Sequence, residues 1–222
     1  MNIAVFTFNP IGENTYLVWD ESRACIVIDA GASTPSERAA LDDRIAELGL
    51  RPELAVNTHG HFDHVLGVEH LRSRYGIPFA LSSKDRYLLD AASAAGSVFG
   101  IPTRDMPAVD LDLETMEEVR FGNSALRILR TPGHTPGGVS FFDPEGRVLF
   151  TGDTLFRESI GRTDLEGGDY PTLVRSILDV LLPLGDDVTV RPGHAEATTL
   201  GHEALYNPFV VEVLQHQVGY NK

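Results

Sequence analysis

Cysteine is nearly missing from this chain of 222 residues: Cys25 stands alone, so no intrachain disulfide can form and a thiolate-zinc structural site is disfavoured. Cys25 lies in the apolar run Ala24-Cys25-Ile26-Val27-Ile28, where a small buried hydrophobe is its expected role. Basic residues are also scarce, 18 Lys and Arg against 32 Asp and Glu, and the formal charge of −14 is a poor starting field for gripping phosphate backbones. No window approaches the ~20 apolar residues of a membrane span. The opening Met1-Asn2-Ile3-Ala4-Val5-Phe6 has neither a basic leader nor an export-signal core of adequate length. Repeats at solenoid periods and low-complexity linkers are absent as well. These absences predict a cytoplasmic, soluble protein with no nucleic-acid or membrane partner, and they set no oligomeric state.

What is present is enough apolar sequence, 42%, to bury a sizeable core in one domain over residues 1–222. Ile3 to Phe8, Thr15 to Trp19 and Ala24 to Ile28 are β-branched or aromatic runs separated by turn residues, so a meander is expected. Helical spacing of Leu41, Ile45 and Leu48 predicts a helix over 36–48 ending at Gly49, and further helices are expected over 65–75, 84–95 and 170–182. Strands are expected at 54–57, 78–81, 118–121, 126–130, 138–142, 148–151 and 188–191. Residues 96–112 read as a loop able to act as a lid, and a short helical tail runs over about 198–222, interrupted at Asn207-Pro208. Strands followed by helices in both halves predict an α/β fold of two sheets packed face to face with helices outside.

Chemistry concentrates at four strand ends: Thr58-His59-Gly60-His61-Phe62-Asp63-His64, Pro132-Gly133-His134, Gly152-Asp153 and Pro192-Gly193-His194. Together they supply five imidazoles and two carboxylates, enough for two metal ions. Side chains alternate in an extended segment, so His59 and His61 can point to one side while Asp63 and His64 fall on the following turn. Each Pro-Gly-His places a histidine just past a strand, where proline stops ladder pairing and glycine permits positive φ or a close approach. The imidazole and carboxylate mixture suits Zn, Fe, Mn or Co better than Ca or Mg. Asp29 is expected to accept a hydrogen bond from a ligating imidazole. Phe62 is expected to pack, and His70, His202 and His216 to be structural or surface residues.

The Thr-His-x-His-x-Asp-His loop with its partners closely resembles the metallo-β-lactamase superfamily, and the resemblance runs through almost the whole chain. It implies an αββα sandwich of two mixed sheets. It also implies that His59, His61 and His134 bind one metal, that Asp63, His64 and His194 bind a second, and that Asp153 bridges them; two divalent ions are expected, zinc foremost, with iron or manganese as alternatives. Gly152-Asp153-Thr154-Leu155-Phe156, Ser159-Ile160-Gly161-Arg162-Thr163-Asp164 and Leu182-Pro183-Leu184-Gly185-Asp186-Asp187 are similar to the short, single-domain bacterial branch of glyoxalase II-like hydrolases. That resemblance implies a metal-dependent hydrolase of small-molecule thioesters, S-lactoylglutathione being the reference substrate, with Asp63 and Asp153 in catalytic roles and a metal-acidified water as nucleophile.

The chain departs from full-length glyoxalase II in two ways that bear on substrate. Beyond Arg191 the only cationic side chain is Lys222, where the family carries a helical domain with basic contacts to glutathione. The family's Lys and Tyr after the bridging aspartate correspond to Arg162 and Asp164; Arg162 could meet a substrate carboxylate or form a structural salt bridge. The last motif continues Gly193-His194-Ala195-Glu196 in place of the family's Gly-His-Gly-Pro. The alternative reading is an oxidoreductase resembling persulfide dioxygenases, with a single iron held by His59, His134 and Asp153.

Overall fold

Strands that are apolar on both faces must be covered on both faces, and the two-residue alternation decides which cover each side chain meets. In the strand Ala24–Ile28, Ile26 and Ile28 join Tyr16, Val18, Leu54 and Val56 in the layer between the sheets. Cys25 and Val27 face the other way, onto Leu41, Ile45, Val68 and Leu71 of the covering helices. The second sheet repeats the rule. Phe141 and Phe150 point inward, while their neighbours Phe142 and Leu149 pack outward against Leu173, Ile177, Leu181 and Leu200. The result is helix, sheet, sheet, helix, as the sequence predicts.

The computed structural model describes residues 1–219 apart from 102, 104 and 105, with side chains through residue 215. The first sheet runs, in spatial order, Asn2–Phe8, Glu13–Trp19, Ala24–Ile28, Arg51–Val56, Phe79–Leu81 and Leu111–Asp112. Its first three strands are antiparallel and the later pairs parallel. The second runs Thr198–Thr199, Thr189–Pro192, Val148–Gly152, Val139–Asp143, Ser124–Arg130 and Glu118–Phe121, with only the pairing of Val148–Gly152 to Thr189–Pro192 parallel. Both sheets are therefore mixed.

The helix expected over 36–48 is Pro35–Glu47, started by a capping box between Thr34 and Glu37 and followed by Gly49 at φ +60°. The helix expected over 65–75 is instead two pieces, Phe62–Val65 and Val68–Tyr75. A contact distant in sequence makes the break: the Gly67 amide donates to the Ala30 carbonyl at 2.7 Å, and a Cβ there would sit 3.0 Å from that oxygen. The segment over 170–182 begins as Tyr170–Arg175 and widens to a looser helical pitch over Ser176–Leu181. Within 96–112 the helix Arg86–Val98 runs further than expected, buried Ile101 packs on Phe62 and Ala92, and Leu111–Asp112 closes the first sheet. In the tail, helices Leu200–Tyr206 and Pro208–Gly219 meet at Asn207, whose Oδ1 accepts the Phe209 amide at 3.1 Å. The His216 side chain lies outside the described residues.

Candidate metal centre

The four histidine- and aspartate-bearing loops leave neighbouring strand ends and converge. His59 follows Arg51–Val56 at the end of the first sheet; His61 sits at the start of the short helix that carries Asp63 and His64. His134, Asp153 and His194 follow strands of the second sheet. The two Pro-Gly-His turns use glycine for different reasons. Gly133 adopts φ +133°, and a Cβ there would press on the Leu173 backbone and lie 2.6 Å from Leu173 Cβ. At Gly193 the need is close approach, since a Cβ would lie 2.7 Å from His64 Cε1 and inside contact with Asp153 Oδ1.

Ligand-type atoms lie within 4.8 Å of one another in three overlapping groups; two are the expected sets, His59 with His61 and His134, and Asp63 with His64 and His194, and the third joins Asp29 to His59 and His64. Asp153 spans the two expected sets. Its Oδ2 is 3.6 Å from His134 Nε2 and 3.6 Å from His194 Nε2, while Oδ1 is 3.5 Å from His64 Nε2. His61 presents Nδ1, 2.9 Å from His134 Nε2.

Surrounding acceptors decide which nitrogen of each ring carries the proton. His134 Nδ1 donates to the Arg162 carbonyl at 2.7 Å and His194 Nδ1 to the Gly12 carbonyl at 3.2 Å, so both rings turn a lone pair on Nε2 to the centre. Thr58 Oγ1 donates to Asp29 Oδ2 at 2.7 Å and must therefore accept from His59 Nδ1 at 3.1 Å, which leaves His59 Nε2 free. Asp29 also accepts the Thr58 amide at 2.7 Å and lies 3.2 Å from His64 Nδ1, a close contact rather than an aligned hydrogen bond.

Burial, then the charge of His64, holds His59 well below the ordinary histidine range. Burial and then His134 lower His61 to about 4. In the other group burial opposes charge, but Asp153 and Asp63 outweigh it and raise His64 well above the ordinary value. Asp153 itself is buried, which favours protonation, and the His64 charge overcomes this and holds its carboxyl well below the usual range.

Buried polar atoms without partners are rare, yet His59 Nε2, His64 Nε2 and Asp153 Oδ1 are all buried and unpartnered. Five imidazoles and two carboxylates converging there form a donor set that cations satisfy, so the residues fit divalent metals.

The other expectations sort individually. Phe62 is buried, packs on Ala92 and Ile101 and stacks with Phe99 at 5.6 Å. The Arg162 guanidinium makes two 2.7 Å contacts with Asp164 in an exposed bidentate pair, and its carbonyl orients His134. His70 and His202 contact Asp42 and Glu158, away from the centre. Two buried acids beside the centre carry no mark in the sequence. Asp85 bonds both the Gly60 and Gly137 amides, and it ends the short helical turn Ser83–Asp85 rather than directly following a strand as Asp29 and Asp153 do. Glu13, which burial pushes well above the usual carboxyl range, sits in a strand with no signal for it.

The metallo-beta-lactamase superfamily model matches residues 9–194. The chain is 37% identical over 212 residues to hydroxyacylglutathione hydrolase GloC of Haemophilus influenzae, covering 95% of this chain and 98% of that one. It is also 37% identical over 199 residues to the human mitochondrial persulfide dioxygenase ETHE1, covering 87% and 70%. Among solved structures, BLEG-1 B3 metallo-beta-lactamase superposes with a TM-score of 0.86 at 34% identity, covering 94% of this chain and 99% of that one. TTHA1623 in a di-iron-bound form gives 0.82 at 39%, covering 93% and 99%. With a family model spanning most of its length, relatives of this identity and both sheets in place, the chain belongs to the metallo-beta-lactamase superfamily.

Proposed function

We propose that this protein is a two-metal thioester hydrolase of the glyoxalase II-like type, acting as one domain over residues 1–222 in the cytoplasm. His59, His61 and His134 would hold one cation, Asp63, His64 and His194 the other, and Asp153 both. The observation that carries this reading is the placement of one carboxylate oxygen 3.6 Å from an imidazole of each group. Zinc is the first expectation; the di-iron form of a relative keeps iron open, and manganese suits the same donors. The substrate class is an S-acylglutathione such as S-lactoylglutathione, or another small acyl thioester, in keeping with the GloC relative.

Bound cations supply Lewis acidity, which lowers the pKa of a nearby water and polarises a carbonyl. The protein's own part is preorganisation. His59 and His61 are held neutral, ready to donate lone pairs without first losing a proton. Asp63 and Asp153 stay ionised and bring negative charge to the centre. Carbonyls of Gly12 and Arg162 fix two rings, so little reorganisation remains when substrate arrives. For Arg162 to meet a substrate carboxylate, its pair with Asp164 must open first.

A mononuclear iron persulfide dioxygenase is the second reading, favoured by the ETHE1 relative and by His59, His134 and Asp153 sharing one side of the centre. Elemental analysis of the purified protein beside a thioester panel, with and without glutathione, separates the two. Two metals with thioester cleavage are expected; one iron with oxygen uptake on glutathione persulfide would establish the alternative.

A further inference from the structure

Asp85 stands at the start of the helix Arg86–Val98, where an aspartate ordinarily turns back to cap its own helix. Here it makes no such bond. The side chain is fully buried and spends both oxygens elsewhere: Oδ2 accepts the Gly60 amide at 3.1 Å and the Thr135 hydroxyl at 2.7 Å, and Oδ1 accepts the Gly137 amide at 2.7 Å. Gly60 lies between His59 and His61, and Thr135 follows His134. One carboxylate therefore joins the two loops that bring three histidines to one group, although 73 residues separate His61 from His134.

The glycines at the joints point the same way. A Cβ at Gly60 would stand 2.8 Å from the Asp85 carbonyl oxygen, and one at Gly137 would stand 2.6 Å from Asp85 Oδ1. Both backbones approach the carboxylate as only glycine allows. The second group is held differently among the described residues: Asp63 and His64 ride one helix, and the His194 loop is gripped from the strand Glu13–Trp19, Asn14 Nδ2 donating to the Pro192 and Ala195 carbonyls while His194 Nδ1 donates to the Gly12 carbonyl.

We propose that Asp85 is a positioning residue for the cation held by His59, His61 and His134, acting as a tether between their loops and leaving the other cation's ligands untouched. This rests on the two-cation reading above. Residues that orient metal ligands typically contribute about 10–100-fold in affinity. An amide at position 85 retains the shape but replaces one acceptor oxygen with a donor facing an N–H or a hydroxyl, so Asp85→Asn breaks the tether without opening a cavity.

The test is titration of the metal-stripped full chain with Co(II) against a competing chelator, for the wild type, Asp85→Asn, Asp85→Ala, His134→Ala and Asp20→Asn. Asp20 is a comparably buried carboxylate at the far end of the strand Glu13–Trp19, holding the Ser22 and Asn123 amides at 2.9 and 2.6 Å. Wild type should show two constants. Asp85→Asn should weaken one of them about 10–100-fold, the same one that His134→Ala abolishes, and leave the other unchanged. Asp20→Asn should lower Tm and change neither. Should Asp85→Ala fail to fold, Asp85→Asn decides alone. Unchanged constants in Asp85→Asn, or equal weakening of both, overturns the tether. A wild type that takes up one Co(II) refutes the two-cation reading instead, and the tether then stands or falls on whether Asp85→Asn weakens that single ion.

Discussion

Replacing Asp29 by asparagine keeps the side chain's shape, exchanges one acceptor oxygen for an NH2 donor and removes a buried negative charge. The residue adopts φ +52°, a conformation that asparagine accepts readily, so the backbone has no reason to move. Either orientation of the new amide conflicts with the site. With its NH2 in place of Oδ1, it faces the Thr58 amide, a buried donor against a donor. With the NH2 in place of Oδ2, it faces both the Thr58 hydroxyl and His64 Nδ1, 3.2 Å away. Thr58 Oγ1 must then accept rather than donate. Its proton either goes unpaired or turns to His59 Nδ1, and the second choice favours the tautomer whose protonated Nε2 points into the centre and cannot ligate. Leaving one buried donor unpaired costs about 1–3 kcal/mol, which corresponds to roughly 5–150-fold in an equilibrium constant. We expect Asp29→Asn to fold, with Zn(II) affinity from chelator competition reduced within that range and, on the proposed function, thioester hydrolysis at limiting metal reduced in parallel. Wild-type affinity in a folded Asp29→Asn protein would refute the tautomer argument, because neither amide orientation satisfies Thr58, His59 and His64 together.

Other expectations are simpler. Gly133→Ala imposes a Cβ on the Leu173 backbone at φ +133° and should destabilise the protein by about 2–5 kcal/mol in a denaturant melt, combining backbone strain and overpacking; an unchanged midpoint removes the close-approach account of that turn. His61→Ala and Asp153→Ala should each remain soluble with lower metal content by elemental analysis and little hydrolysis, whereas undiminished turnover in either would remove the proposed mechanism. In the metal-free protein the His61 ring should titrate near pH 4 by NMR and His194 above its ordinary value. As pH falls below about 6.5 the unfolded chain gains the His61 proton before the fold does, so His61 lowers metal-free stability between pH 6.5 and 4. His194 has the opposite sign, its stabilisation being present at low pH and lost as pH rises through its folded value. Arg162→Ala should leave Tm nearly unchanged, since the pair with Asp164 is exposed and screened, and raise KM for carboxylate-bearing thioesters with little change in kcat; an unaltered KM places Arg162 outside the substrate site.

Local spacing made much of this molecule legible. Apolar runs such as Ala24 to Ile28 announce strands buried on both faces, and the alternation assigns Ile26 and Cys25 to different layers without further information. The histidines and aspartates were readable for the same reason, because each sits within a few residues of a strand end and carries its glycine with it. What escaped depends on distance along the chain. The break between Val65 and Val68 follows from Ala30, more than thirty residues earlier, and the role of Asp85 from loops 25 and 52 residues away. The two-residue strands Leu155–Phe156 and Ser159–Ile160 are too short to show periodicity, and the buried polar residues Glu13 and Asn14 fall outside the strand expected over Thr15 to Trp19 because their partners, Gly193 and Ala195 among them, lie far along the chain.

Cys25 has one further use. Its side chain is wholly enclosed between the first sheet and its helices, and burial pushes the thiol up to about 12. The reactive thiolate is thus suppressed twice, by enclosure and by ionisation, while the sequence offers no other thiol to compete. The protein carries a built-in clock for its own opening: the rate at which a thiol reagent marks it counts how often the first sheet parts from its helices, and a cation that steadies the centre should slow that count.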